Sequence, residues 1–191
     1  VLVIADETAE AKYVAADLLS QAEHDRLASA VLLTTSMELA RAVDAEIVRQ
    51  AGYLSRSDIM EASLRDFGCA IVCDSLEQAI SLANEIAPEH LEIVTEDPRA
   101  VLPEIRNAGA VFLGEWSPEP LGDYLAGPNH VLPTSGTARF FSPLSVDSFL
   151  KTMSIVAYSR DTLAPIREQV VAMAEAERLT AHANSIRVRF E

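Results

Sequence analysis

Four places in this chain bring together groups that could do chemistry. Gln21 and His24 lie three residues apart in QAEHD, a spacing that puts both side chains on one face of a helix. An amide oxygen and an imidazole can share a cation there. A surface histidine near a helix end has the same spacing, and Gln is a poor ligand outside a larger donor set. Glu89 and His90 are adjacent in APEHLEI, directly after Pro88. Imidazole shuttles protons near neutral pH, and a carboxylate beside it can activate a water. Two solvated charges on a capping turn would read the same way. Asp123 and His130 add a carboxylate and an imidazole in GDYLAGPNH, and Glu177 precedes His182 by five residues near the C-terminus. The four histidines thus stand in polar, motif-like settings, none in a plainly apolar strand, which favours a metal site.

Asp123, Asn129 and His130 belong to the stretch Gly114–Gly136, which holds four of the seven Gly and four of the nine Pro. That density predicts an ordered loop rather than a helix or strand: Gly lets the backbone approach a ligand, and Pro stiffens what carries the polar groups. Trp116, Leu121, Tyr124, Leu125 and Val131 argue against disorder; a packed loop without chemistry remains the alternative. Thr134, Ser135 and Thr137 lack a G-x-S-x-G setting, and no Gly-rich phosphate loop follows any strand, so acyl transfer and nucleotide-loop chemistry are set aside.

The elements that must hold these residues alternate. Val1–Ala5, 30–33, 70–73, 91–94 and 109–113 read as short buried strands, and 9–25, 36–51, 57–67, 76–87 and 99–108 as helices. This alternation predicts an α/β fold with a mostly parallel, Rossmann-like sheet flanked by helices. Beyond the loop, 146–153 and 163–183 read as helical, 155–158 as a strand and SIRVRF as an alternating tail. Residues 1–143 are therefore expected to form the α/β domain, and 144–191 a small helical arm that packs on a partner. Cys69 and Cys73, in CAIVC, would stand ~13 Å apart along one strand, too far for a disulfide; they read as buried free thiols in a reducing cytosol. The net charge of −14 argues against nucleic acid, no apolar run is long enough to span a membrane, and no signal peptide is visible. Opening on VLVIAD without a Met, the chain reads as a fragment whose N-terminal part is absent.

QAEHD at 21–25, APEHLE at 87–92, GAVFLGEWSPEPLGDYLAGPNHVLPTSGTARF at 109–140 and LTAHANSIRVR at 179–189 together resemble histidinol dehydrogenase, from end to end of the chain. The match resembles the C-terminal part of that enzyme, something under half of it. The resemblance implies oxidation of L-histidinol through histidinal to L-histidine, with two hydrides passed to two NAD⁺, in the cytoplasm (or a plastid, for a plant protein). It implies one Zn²⁺ per subunit on Gln21, His24, Asp123 and His182, with room for substrate nitrogens in the shell. Glu89 and His90 would be the acid–base pair: His90 takes the alcohol proton and Glu89 activates the water that hydrates the aldehyde. His130 and Glu177 would contact substrate, as would Gln21, His24, His90, Asp123 and His182. In the family Glu177 and His182 reach the site from the other subunit of a homodimer. The NAD-binding residues and a substrate-contacting Ser would lie upstream of Val1, so this chain alone is expected not to oxidise histidinol. A related zinc-dependent dehydrogenase of another small polar alcohol, a non-catalytic dimerisation fragment, and a protein without metal are the competing readings.

Overall fold

Val1–Ala5 offers no polar side chain until Asp6, so a strand made from it must be covered on both faces. In the computed structural model, which describes residues 1–191, this segment forms the central strand β1 (Leu2–Ala5) of a five-stranded sheet. On one side β1 pairs in parallel with β2 (Ala30–Thr34), which pairs with β3 (Gly68–Val72). On the other it pairs with β4 (His90–Val94), which pairs with β5 (Ala110–Leu113). The order β3-β2-β1-β4-β5 is that of a doubly wound α/β sheet, as the alternation in the sequence predicted.

Successive side chains point to opposite faces of a strand, and the two faces have separate cores. Val3, Ala5, Leu32 and Val94 pack under α1 (Ala11–Ala22) and α2 (Met37–Ala51). Leu2, Ile4, Leu33, Leu91 and Ile93 pack under α4 (Leu76–Ile86) and α5 (Pro98–Val101). Ser36 Oγ accepts from Leu39 N and Ser75 Oγ from Gln78 N, capping α2 and α4. Helix α3 (Ser57–Phe67) runs straight into β3. A Cβ at Gly68 would lie 2.5 Å from the Leu64 carbonyl oxygen, so only glycine fits that junction.

Several expected elements differ. Strand β3 is an edge, so Cys69 is exposed and only Cys73 is buried. The helix expected over 99–108 shrinks to α5 and one 3-10 turn, Leu102–Glu104. The stretch 114–136 contains a two-turn helix, α6 (Glu119–Tyr124), started by Pro118 and Pro120. Only a 3-10 turn, Val146–Phe149, forms from the helix expected at 146–153, and 155–158 is not a strand. The long C-terminal helix divides into α7 (Arg160–Leu163), α8 (Arg167–Ala176) and α9 (Thr180–Arg187). Pro165 bends the first junction through a 3-10 turn, and Arg178 takes a left-handed φ of 63° at the second. The tail is helical through Arg187 instead of alternating.

The chain divides into two compact units, Val1–Phe149 and Leu150–Glu191. In the second, α8 and α9 pair through buried Val171 and Ala183, and the Phe190 ring lies between the Arg160 and Arg167 guanidinium groups. No helix is long and apolar enough to cross a membrane.

Candidate active site

Helix α1 has a second stripe beside its buried apolar one. Asp17 and Gln21 follow at i and i+4 with Ser20 alongside, so these three project from neighbouring positions on one side, and His24 follows in the turn just past the helix end, where its amide donates to the Gln21 carbonyl. Across from them, β4 turns His90 and Glu92 to the α1 face by its period of two, where an apolar strand would place Val or Ile. His90, placed by the sequence outside any apolar strand, is the first residue of β4 and 5% exposed. Ahead of it, Ala87 takes a left-handed conformation (φ 55°) while fully buried, a strained junction for a residue with a Cβ. Glycine at 109 lets β5 approach the Glu89 carbonyl, since a Cβ there would lie 2.5 Å from that oxygen.

The chain leaves β5 at its carboxyl end and returns over this face as α6. A Cβ at Gly122 would meet the Phe112 ring at 2.6 Å, so α6 lies directly on Phe112, whose ring is 6.0 Å from that of His90. This brings Glu119 and Asp123 to His90: Nε2 is 3.7 Å from Glu119 Oε1 and 3.8 Å from Asp123 Oδ1. Both distances exceed a hydrogen bond, and both ring nitrogens are buried without a partner. Beneath them Glu92 Oε1 accepts from Glu119 N at 2.9 Å, Ser20 Oγ donates to Glu119 Oε2 at 3.2 Å, and Asp17 and Glu92 share a side-chain hydrogen bond.

Burial sets the protonation here. It lowers the His90 imidazole to about 4, so the ring is neutral at pH 7 and free to accept a proton or a cation. Burial, helped by the nearby charge of Asp123, raises Glu119 to about 7. Burial also raises Glu89. It pushes up both Asp17 and Glu92, Glu92 further because Asp17 lies beside it; two hydrogen-bonded carboxyls need a proton between them.

Ser20, His90, Glu119 and Asp123 line a cleft of about 500 Å³ together with Gln21, Glu23, His24, Arg56, Glu89, Tyr124 and His130. Gln21, His24 and Glu89 also border a neighbouring open cavity of about 550 Å³, lined in addition by Leu2 and Thr134–Gly136. Of the expected site residues, Gln21, His24, Glu89, His90, Asp123 and His130 therefore meet in one cleft. Glu177, at the C-cap of α8, and His182, in α9, belong to the second unit. The Asn129 side chain accepts from Val131 N at 2.7 Å and so shapes the loop. Glu119 and the Asp17–Glu92 pair were not singled out from sequence. The signal for Glu92 was an acid inside an apolar strand, which has to be partnered when buried.

The donors fit a divalent cation. His90, Glu119 and Asp123 bring their ligand atoms within 4.8 Å of one another, a cluster that shares only Asp123 with the expected set of Gln21, His24, Asp123 and His182. The His90 spacings compare with the ~3.0–3.4 Å between neighbouring ligands of one ion held at about 2.1 Å. The cleft also sits at the amino ends of the strands: β4 begins at His90, and α1 ends at Ala22 between Gln21 and His24. Doubly wound sheets more often bind at the carboxyl ends.

The family model described as histidinol dehydrogenase matches residues 1–190. The chain is 66% identical over 187 residues to the histidinol dehydrogenase of Caldanaerobacter subterraneus subsp. tengcongensis, covering 98% of this chain and 44% of that protein. It is 59% identical over 191 residues to that of Clostridium acetobutylicum, again covering 44% of it. The crystal structure of histidinol dehydrogenase from Elizabethkingia anophelis superposes with a TM-score of 0.90 at 41% identity, over 99% of this chain and 43% of that one. The chain thus spans under half the length of these relatives. Coverage gives the length of the shared segment and not its position, so the C-terminal placement expected above does not follow from it.

Proposed function

The chain belongs to the histidinol dehydrogenase family, and on that premise we propose that its cleft is the metal-binding and proton-transfer part of an NAD-dependent, zinc-assisted oxidation of L-histidinol to L-histidine. The observation that carries this reading is the buried, neutral, unpartnered His90 ring facing two carboxylates, with Gln21, His24 and Glu89 on the same wall. Gln21, His24 and Asp123 would hold the ion, with His182 as a further ligand supplied by the partner subunit of a homodimer. Zn²⁺ there supplies a Lewis acid and a template for substrate nitrogens, and NAD⁺, bound by residues outside this chain, accepts hydride.

His90 acts as the base. Because burial keeps it neutral, its Nε2 can take the proton of the alcohol as the carbon loses hydride. The Glu119 and Asp123 carboxylates beside Nε2 stabilise the imidazolium that results. Glu89 borders both cavities, and its raised pKa suits a group that takes a proton from water and returns it during hydration of the aldehyde. His130 and Glu177 would contact substrate, the latter from the partner subunit of a homodimer. This chain alone would bind metal without turning over histidinol.

A second reading places the ion on His90, Glu119 and Asp123, favoured by their mutual distances. Equilibrium dialysis against Zn²⁺ separates the two. The first expects about one ion per chain, lost in His24→Ala and Asp123→Asn and kept in His90→Asn and Glu119→Gln. The second expects the opposite for His24, His90 and Glu119. A wild-type chain that holds no zinc removes both.

A further inference from the structure

The geometry points to Glu92 as a positioning residue, a buried acceptor that anchors the first backbone amide of α6 and thereby sets where Glu119 and Asp123 stand before His90. The first amides of any helix lack an intrahelical acceptor and need one from elsewhere. Helix α6 has a particular difficulty, because Pro118 and Pro120 carry no N–H and leave Glu119 as the single donor among its first three positions. Its N-cap residue supplies no side-chain cap. The acceptor comes instead from 27 residues earlier, Glu92 Oε1 at 2.9 Å, in a fully buried bond.

Glu92 is well placed for this. It is 2% exposed, its backbone is locked between Val3 and Phe112 in the middle of the sheet, and its carboxyl is steadied by Asp17 on α1. Helix α6 is consequently fixed at two points three residues apart, the amide of Glu119 by Glu92 and the bare Cα of Gly122 by the Phe112 ring. Asp123 follows at once. With the short helix pinned on that side, the separations of 3.7 and 3.8 Å at His90 are set by the sheet and not by the loop. A simple structural acid would need only a partner for its own charge; this one holds a backbone group that belongs to the cleft.

The inference rests on the reading of the cleft as a metal site, and the test separates the two. Glu92→Gln keeps an oxygen for Glu119 N and an amide for Asp17, whereas Glu92→Leu keeps neither. Both would be made in the 191-residue chain, with hydrogen exchange followed at the Glu119 amide and Zn²⁺ titrated calorimetrically. The Glu119 amide is expected to be slowed about tenfold or more in wild type and Glu92→Gln, and to exchange freely in Glu92→Leu. Zn²⁺ affinity should fall about 10- to 100-fold in Glu92→Leu, with helical circular dichroism intact, and recover in Glu92→Gln. A folded Glu92→Leu with unchanged zinc affinity overturns the inference. So does an unprotected Glu119 amide in wild type, which decides the matter even if Glu92→Leu does not fold. A protected amide in a wild-type chain that binds no zinc supports the anchor and overturns the metal reading alone.

Discussion

The two faces of β4 are built to opposite ends within five residues. Leu91 and Ile93 enter a dry core under α4, whereas His90 and Glu92 face α1 and α6 and bury an imidazole and a carboxyl there. The dry face holds the strand in register against β1 and β5. Because it does, the other face can bury an unpartnered imidazole and a carboxyl pair, groups that cost free energy to remove from water. The strand's period of two separates stability from chemistry.

Exchanging the outcomes of the two faces is the sharpest way to break that division. His90→Asn, placed in a full-length enzyme carrying this segment, should lower kcat by about 10²–10⁴-fold with zinc content unchanged; steady-state rates with metal analysis check it. Zinc lost along with turnover would make His90 a ligand and blur the comparison. On the opposite face, Leu91→Ala should cost about 2–5 kcal/mol in urea unfolding while the folded protein keeps its zinc affinity. A drop in affinity at native conditions would show that the dry face is not merely a support.

Gly122→Ala tests the contact between α6 and the sheet. Its methyl group meets the Phe112 ring, and the overpacking should cost about 1–3 kcal/mol. Zinc titration should weaken with it, because Asp123 is the next residue. The smallest expected effect sharpens the comparison through pH. A carboxyl whose folded pKa is raised stabilises the fold below its unfolded pKa of about 4.3 and loses that contribution as pH rises toward its folded value. Wild type should therefore lose stability between about pH 5 and 9 on account of Glu92, and Glu92→Gln should flatten this slope. By pH 8 the variant should gain on wild type by about 1 kcal/mol or more, a few °C in thermal midpoint. Parallel slopes would mean that Glu92 does not carry the extra proton.

Much of the frame was legible from residues alone. β1 announced itself as an uninterrupted apolar run, the helices expected from 36 and 76 begin at Met37 and Leu76, and α3 runs over the 57–67 expected of it. Gln21, His24, Glu89, His90, Asp123 and His130 were readable because each stands in a motif, and they do share one cleft. Glu92 and Asp17 were hidden because their importance is a matter of depth, which depends on what α6 covers, and pattern alone does not say that the loop returns over the sheet. Cys69 was misread for a related reason: an apolar strand at a sheet edge has the same composition as one at its centre. The segment after Phe149 resisted most. Ile155, Val156 and Tyr158 are apolar enough for a strand and are 61–85% exposed with no strand beside them, since strand formation needs a neighbour and not only a suitable sequence.

The location of the cleft at the amino ends of the strands determines what kind of guest it can tolerate. There it faces the carboxyl end of α1, which carries partial negative charge, alongside Glu89, Glu119 and Asp123. Such a basin draws in cations and turns away anions. An ammonium group is drawn into it, while a phosphate or a carboxylate meets like charges there.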